Sequence, residues 1–222
     1  MTGTNRRGVA ERHYTSLDAL IVNLDKGVRT VFGRPPRGGR PSPAQAALDN
    51  DAPEADRRVS VGLMRVNHAG EVAAQALYHG QAITASDPLV RDRMGEAAAE
   101  ENDHLSWCEA RLEELGGHTS YLGPLWYLGS FTFGVLAGWA GDRFSLGFVA
   151  ETERQVVAHL EGHMARLPQG DVRSRGIIEQ IKKDESHHAT VAVETGAVDL
   201  PVSIKRLMRM SAKVMTTTAY WV

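Results

Sequence analysis

Four glutamates and two histidines in this chain divide into two near-identical sets. Glu71 is followed 30 residues on by Glu101-Asn102-Asp103-His104, and Glu153 is followed 32 residues on by Glu185-Ser186-His187-His188. Positions i and i+3 share a face of an α-helix, so each Glu-x-x-His presents a carboxylate and an imidazole side by side. The pattern asks for a lone Glu on one helix and a Glu-x-x-His on the next, twice, all projecting into one bundle. A single Glu-x-x-His arises easily by chance, so the faces must be tested.

Around Glu101 the same-face positions are Met94, Ala97, Ala98, Leu105, Cys108 and Leu112, and around Glu185 they are Ile178, Ile181, Ala189 and Ala192. Glu71 shares its stripe with Met64, Ala74, Tyr78 and Ala82. Glu153 shares one with Val149, Val156, Val157 and Leu160, whereas nearby Glu151 keeps company with Arg154, Gln155 and Glu161. Glu153 is therefore expected to point inward and Glu151 to be solvated. Carboxylates in an apolar core cost several kcal/mol each unless something replaces their hydration, and four of them repel one another. Two divalent cations would match four carboxylates, with neutral imidazoles completing the shells. A Glu and His set without thiolates suits iron or manganese better than structural zinc.

The rest of the chain fits an all-α, ferritin-like four-helix bundle with one long apolar crossover and additional amphipathic terminal helices. Long helices are expected over about 58–85, 88–115, 142–167 and 171–195, the first and second pairs joined by short links. Leu17, Leu20, Ile21, Leu24, Val28, Val31 and Phe32 recur at helical spacing and predict an amphipathic helix over 15–32. Residues 33–56 are rich in Pro and Gly and predict a tether without fixed structure, its Arg34, Arg37 and Arg40 solvated or touching anionic lipid. The chain thus divides into an N-terminal helix and tether, 1–56, and a bundle domain, 57–222, that includes a crossover at 118–141 and a C-terminal helix at 201–222.

Thr119 to Gly141 contains no charged residue and carries Tyr121, Trp126, Tyr127, Phe131, Phe133 and Trp139 among its apolar side chains. It is long enough for the ~30 Å of a bilayer core. Its glycines, and the return of both ends to one bundle, favour a helix lying in the membrane interface or buried on the bundle over a span. The 201–222 stretch alternates Val202, Ile204, Leu207 and Val214 with Lys205, Arg206, Arg209 and Lys213, a basic amphipathic helix suited to a membrane surface or to capping the bundle. A net charge of −2 gives no general attraction to nucleic acid. The single Cys108 excludes an internal disulfide and reads as a small buried residue. No secretory signal is evident in the first fifteen residues, which points to a bacterial cytoplasmic setting.

Arg65 to Glu71, Glu101 to Leu105, Phe148 to Glu153 and Asp184 to His188 resemble the demethoxyubiquinone hydroxylases of ubiquinone biosynthesis, and the resemblance covers about residues 15–222. It implies an O2-dependent di-iron monooxygenase that hydroxylates a polyprenylated demethoxy-benzoquinol in the penultimate step of that pathway. It implies two iron ions (Fe2+/Fe3+) held by Glu71, Glu101, His104, Glu153, Glu185 and His188, with Glu101 and Glu185 bridging. Glu100 and Asp184 resemble the acids that orient ligand histidines in such bundles; His159 and Tyr78 are weaker candidates for a supporting part. The implied setting is peripheral, on the cytoplasmic side of the bacterial inner membrane, or the mitochondrial inner membrane in a eukaryote. Implied partners are the quinol, O2 and membrane lipid. The sequence leaves open the tail length, NADH or a separate reductase as electron donor, and assembly as a homo-oligomer or with other ubiquinone-biosynthesis proteins. A ferritin-like ferroxidase without organic substrate would share the six ligands but have no use for an apolar crossover.

Overall fold

The computed structural model describes residues 16–33, 39–46 and 53–222. Among them lie seven α-helices and one short 3-10 turn: α1 Ser16–Phe32, the 3-10 turn Pro43–Ala46, α2 Glu54–Thr84, α3 Pro88–Glu114, α4 Gly123–Trp139, α5 Asp142–Arg166, α6 Val172–Glu194 and α7 Val202–Ala219. No strand occurs among the described residues.

Local chemistry fixes the helix ends. Asp87 caps α3 by accepting from Leu89 N, with Pro88 preset for the first turn, and Asp171 caps α6 by accepting from Ser174 N at 2.9 Å. The short links make α2 antiparallel to α3 and α5 antiparallel to α6. Arg111, buried near the end of α3, joins the two hairpins: its Nη2 donates to Asp171 Oδ1 at 2.8 Å and its Nε to Ser174 Oγ at 2.9 Å. Leu63, Met64, Leu112, Leu160, Ile177, Ile178 and Ile181 fill one end of the bundle, and Tyr78, Met94, Leu146, Val149 and Ala192 the other.

The crossover is a helix, and its direction orders the bundle. Trp126 packs beside Val66 and Ala69 of α2, while Gly134 lies on Leu77 and Gly138 on Thr84, so α4 runs parallel to α2. It delivers the chain to the far end of α2, where Asp142 of α5 accepts from Ser86 N and Asp87 N at 3.0 and 2.8 Å. Helices α3 and α5 therefore run parallel, as the long crossover requires.

Glycines make that packing possible. A methyl group on Gly134 would collide with the carbonyl of Leu77, and one on Gly80 with the carbonyl of Phe131, so the two helices touch backbone to backbone. With its small residues inward, α4 turns Leu125, Leu128, Phe133, Leu136 and Trp139 outward. Gly129 faces open space. We expect Gly134→Ala to lower unfolding free energy by about 2 kcal/mol through overpacking, and Gly129→Ala to raise it by up to about 1 kcal/mol through helix propensity. Urea midpoints of the two variants check the opposite signs.

Two expectations change here. The segment 39–46 of the tether is ordered on α3 and α6: Ala44 is buried in the core and its carbonyl accepts from Arg173 Nε at 3.1 Å. Its Arg40 faces acids of the bundle, where lipid or solvent was expected. Arg34 and Arg37 lie outside the described residues. Trp126, on a crossover expected in the membrane interface or on the bundle, is half-buried against α2, its Nε1 donating to Ser120 Oγ at 3.3 Å.

Candidate metal centre

Each of the six side chains sits at least six residues from either end of its helix, where the apolar stripe around it is buried on the neighbouring helices. The structure brings all six together: Glu71 from α2, Glu101 and His104 from α3, Glu153 from α5, Glu185 and His188 from α6, every one buried. Ligand atoms of Glu71, Glu101, His104 and Glu185 lie within 4.8 Å of one another, and those of Glu153, Glu185 and His188 do likewise. Glu185 belongs to both groups. His104 Nδ1 faces Glu101 Oε2 and Glu185 Oε1, each at 3.2 Å, and Glu71 Oε2 at 3.6 Å. His188 Nδ1 faces Glu185 Oε2 at 3.0 Å and Glu101 Oε1 at 3.8 Å.

Both imidazoles are held from behind by the acid that precedes the Glu of the opposite helix. His104 Nε2–H donates to Asp184 at 2.9 Å and His188 Nε2–H to Glu100 at 2.8 Å, which aims both Nδ1 atoms at the carboxylates. The Tyr78 hydroxyl donates to Glu153 Oε1 at 2.6 Å. His159, by contrast, packs edge-on against His163 at 4.0 Å, in a pocket it shares with Val66, Arg166, Thr216, Tyr220 and Trp221, and no hydrogen bond or ion pair ties it to the six.

Crowding shifts the titrations. Burial and the neighbouring Glu185 carboxylate push Glu101 well above the usual carboxylate range, and burial with Glu185 and Glu101 does the same to Glu153. Burial opposes charge on His104 and His188, yet the surrounding acids outweigh it: hydrogen bonds led by Asp184 hold His104 well above an ordinary imidazole, and Glu185 lifts His188 to about 10. Glu185 is held low because its bonds to the two histidines exceed the cost of its burial. A cluster that binds protons this strongly is one in which metal ions and protons compete for the same atoms.

The donor set fits two hard or borderline cations. Glu101 Oε1 and Glu153 Oε2 are buried without a hydrogen-bond partner, an arrangement that costs on the order of 1–3 kcal/mol per atom unless an ion binds them. All the donors are carboxylate oxygen or imidazole nitrogen, which favours iron or manganese. Cys108 is buried on α3, and burial pushes its thiol pKa up, so it remains a protonated core residue.

Glu151 departs from expectation. It is buried, its Oε1 accepts from Gln155 Nε2 at 2.6 Å, and Lys205 and Arg209 of α7 approach it at 3.8 and 3.6 Å. It ties α7 to α5 and takes no place in the cluster. Asn67 Oδ1 accepts from His163 Nδ1 at 2.7 Å, away from the cluster, and His187 is exposed.

Fold and site together define an all-helical bundle built around a buried, carboxylate-rich Glu and His cluster compatible with a pair of metal ions. Residues 58–219 match the family described as "Ubiquinone biosynthesis protein COQ7", and the chain belongs to that family. It is 58% identical over 211 residues to a 3-demethoxyubiquinol 3-hydroxylase of Nitrosococcus oceani, covering 95% of this chain and 99% of that protein. It is 53% identical to one of Dechloromonas aromatica, covering 92% and 99%. A Coxiella burnetii relative of the same name is 50% identical, covering 95% and 98%. Among solved structures, a dodecameric thioferritin of Bacteroides fragilis is similar with a TM-score of 0.49 at 16% identity, covering 77% of this chain and 94% of that one.

Proposed function

We propose that this protein is a 3-demethoxyubiquinol 3-hydroxylase: it inserts one atom of O2 into the remaining ring C–H bond of a polyprenylated demethoxy-benzoquinol. The other oxygen atom leaves as water with two protons and two electrons, the electrons coming from NADH or a separate reductase. The observation that carries the reading is the six-residue cluster, in a chain that matches relatives of that name over nearly its whole length. Two iron ions held by Glu71, Glu101, His104, Glu153, Glu185 and His188 supply the reductive activation of O2 that such a hydroxylation needs.

The chain's own residues prepare the site for this. Asp184 and Glu100 accept hydrogen bonds from the Nε2–H groups of the two histidines and so keep both Nδ1 atoms directed inward. Tyr78 fixes the rotamer of Glu153 and leaves its other oxygen free. A cleft opens beside the His188 half of the cluster; Tyr78, Met94, Leu146 and Val149 give it an apolar side suited to an aromatic ring, and the exposed Arg93, Glu96 and Glu100 also line it. No described helix is long and apolar enough to cross a membrane. The outward faces of α4 and of neighbouring α1, which carries exposed Ile21, Leu24, Val28 and Phe32, support peripheral docking on the bilayer that holds the isoprenoid tail. A ferroxidase would have no use for that apolar surface.

The test is anaerobic loading with ferrous iron, then O2 and a short-tailed demethoxyquinol, with mass spectrometry of the quinone. We expect a gain of one oxygen atom, derived from labelled O2. Iron oxidation and O2 uptake with unchanged quinol would transfer the assignment to the ferroxidase.

A further inference from the structure

Among the described residues, the 39–46 segment of the tether lies at the His104 end of the cluster. Arg40 projects from the extended stretch before the 3-10 turn, which Ala44 anchors in the core. Its guanidinium spans two helices: Nε donates to Asp103 Oδ2 of α3 at 3.0 Å, and Nη1 donates to Asp184 Oδ2 of α6 at 2.8 Å. The group lies over the Trp107 ring, 5.0 Å from its centroid. Asp184 Oδ2 is the same oxygen that accepts from His104 Nε2. The 3.4 Å approach of Arg40 Nη2 to His104 Nε2 is then donor against donor and adds no bond. A line of charged contacts runs from the tether through Arg40 and Asp184 to an imidazole that faces Glu71, Glu101 and Glu185.

Among the described residues the second imidazole has no such backing. Glu100, behind His188, is half exposed and pairs among the described residues with His188 alone. Asp184 is largely covered, and its Oδ2 accepts from both His104 and Arg40. Asp103 depends on Arg40 still more: its side chain is 4% exposed, its Oδ1 has no hydrogen-bond partner, and Arg40 is its cation.

We propose that Arg40 is a positioning residue for the Glu71–His104 half of the site: by clamping Asp184 it fixes the His104 ring, so that this half binds its metal ion more tightly than the Glu153–His188 half. The proposal rests on the two-metal reading above. An arginine suits the task because its planar fork can hold two carboxylates at fixed angles, which a lysine cannot. Its own positive charge does little to repel a metal ion, since Asp103 and Asp184 neutralise it. With Arg40 gone, Asp103 would lose its cation, and Asp184, left with Gln180 Nε2 at 2.9 Å and His104 as partners, would hold the imidazole less firmly. Loss of a partner directly behind a ligand typically costs 10–100-fold in metal affinity, so one step further out roughly tenfold is expected, at one site only.

Titration of the metal-free chain with Mn2+, read by the electron paramagnetic resonance of the free ion, measures this without turnover. The wild type should take up two ions in two distinguishable steps. Arg40→Ala should weaken the tighter step roughly tenfold and leave the other unchanged, with the helical signal and melting point of the metal-free protein intact. Arg40→Lys should recover part of the loss. In an Asp184→Asn background Arg40→Ala should have no further effect, because the residue acts through that carboxylate. Should Arg40→Ala lose helicity, Arg40→Gln is judged by the same two steps. Wild-type constants in the variant, equal weakening of both steps, or additive effects with Asp184→Asn would overturn the positioning role while leaving a two-metal site standing. Failure of the wild type to bind two ions would overturn both.

Discussion

Glu185→Ala should strip both metal ions from the protein and lower hydroxylation by on the order of a thousandfold or more. Glu185 is the one side chain common to both ligand groups, and its two oxygens meet the Nδ1 atoms of both histidines, at 3.2 and 3.0 Å. Its loss therefore weakens two sites at once. Even residues one step behind a metal ligand are worth 10–100-fold, so a ligand shared by two ions should exceed that. Stability should respond differently. The metal-free cluster gathers buried acids that repel one another, and removing Glu185 relieves part of that repulsion while giving up its bonds to the two histidines, so the two effects offset. The metal-free variant should therefore melt within a few degrees of the wild type, and only the rise in melting temperature on metal addition should vanish. Glu71→Ala, which touches one group, should retain one ion. Glu151→Ala should retain both, because its contacts go to Gln155 and α7, and cost no more than about 1 kcal/mol, since Arg209 is half exposed. Metal analysis of the four proteins after desalting decides the matter; two ions per chain in Glu185→Ala would sink the ligand assignment.

Much of this arrangement was legible in the sequence, because helical periodicity is local and so is the Glu-x-x-His spacing. The four long helices, the apolar crossover and the inward faces of Glu101, Glu153 and Glu185 all follow from positions three and four residues apart. What failed was long-range. A stripe pattern shows which face of a helix meets its strongest partner, but α5 has two covered faces: the bundle takes Glu153, and α7, fifty residues further on, takes Glu151. Nothing in the local spacing distinguishes that second cover from water. Arg40 was missed for the same reason. A Pro- and Gly-rich stretch reads as unstructured when taken alone, and the acids that hold it lie 63 and 144 residues away. The signal available was indirect: Asp103 and Asp184 stand beside ligand residues on faces that needed a cation, and α3 and α6 offer none in register. Trp126 and Trp139 look alike in the sequence, yet one wedges between α2 and the end of α7 while the other is 73% exposed.

That difference sets the second large effect. Leu128→Ser, Leu136→Ser and Trp139→Ser together should abolish binding to lipid vesicles while leaving the metal content and the fold unchanged. The three side chains are 64%, 51% and 73% exposed on the outer face of α4 and support nothing inside the bundle. Burying one large apolar side chain completely contributes about 1.5–3 kcal/mol, and partial entry into the interface about half of that. Three together amount to roughly 3–4 kcal/mol, or two to three decades in the partition constant. Part of the basic charge on α7 is already spent on Glu151 and Asp199, so electrostatic attraction to anionic lipid should not make up the loss. Activity should then divide by substrate. With a long-tailed quinol in vesicles kcat/KM should fall about a hundredfold, because enzyme and head group no longer share a surface; with a short-tailed quinol in solution it should not change. Trp126→Ser, placed on the inner face of the same helix, should instead lower the melting temperature. If the triple variant still sediments with vesicles, or loses activity toward both quinols alike, the outer face of α4 is not what brings this enzyme to its substrate.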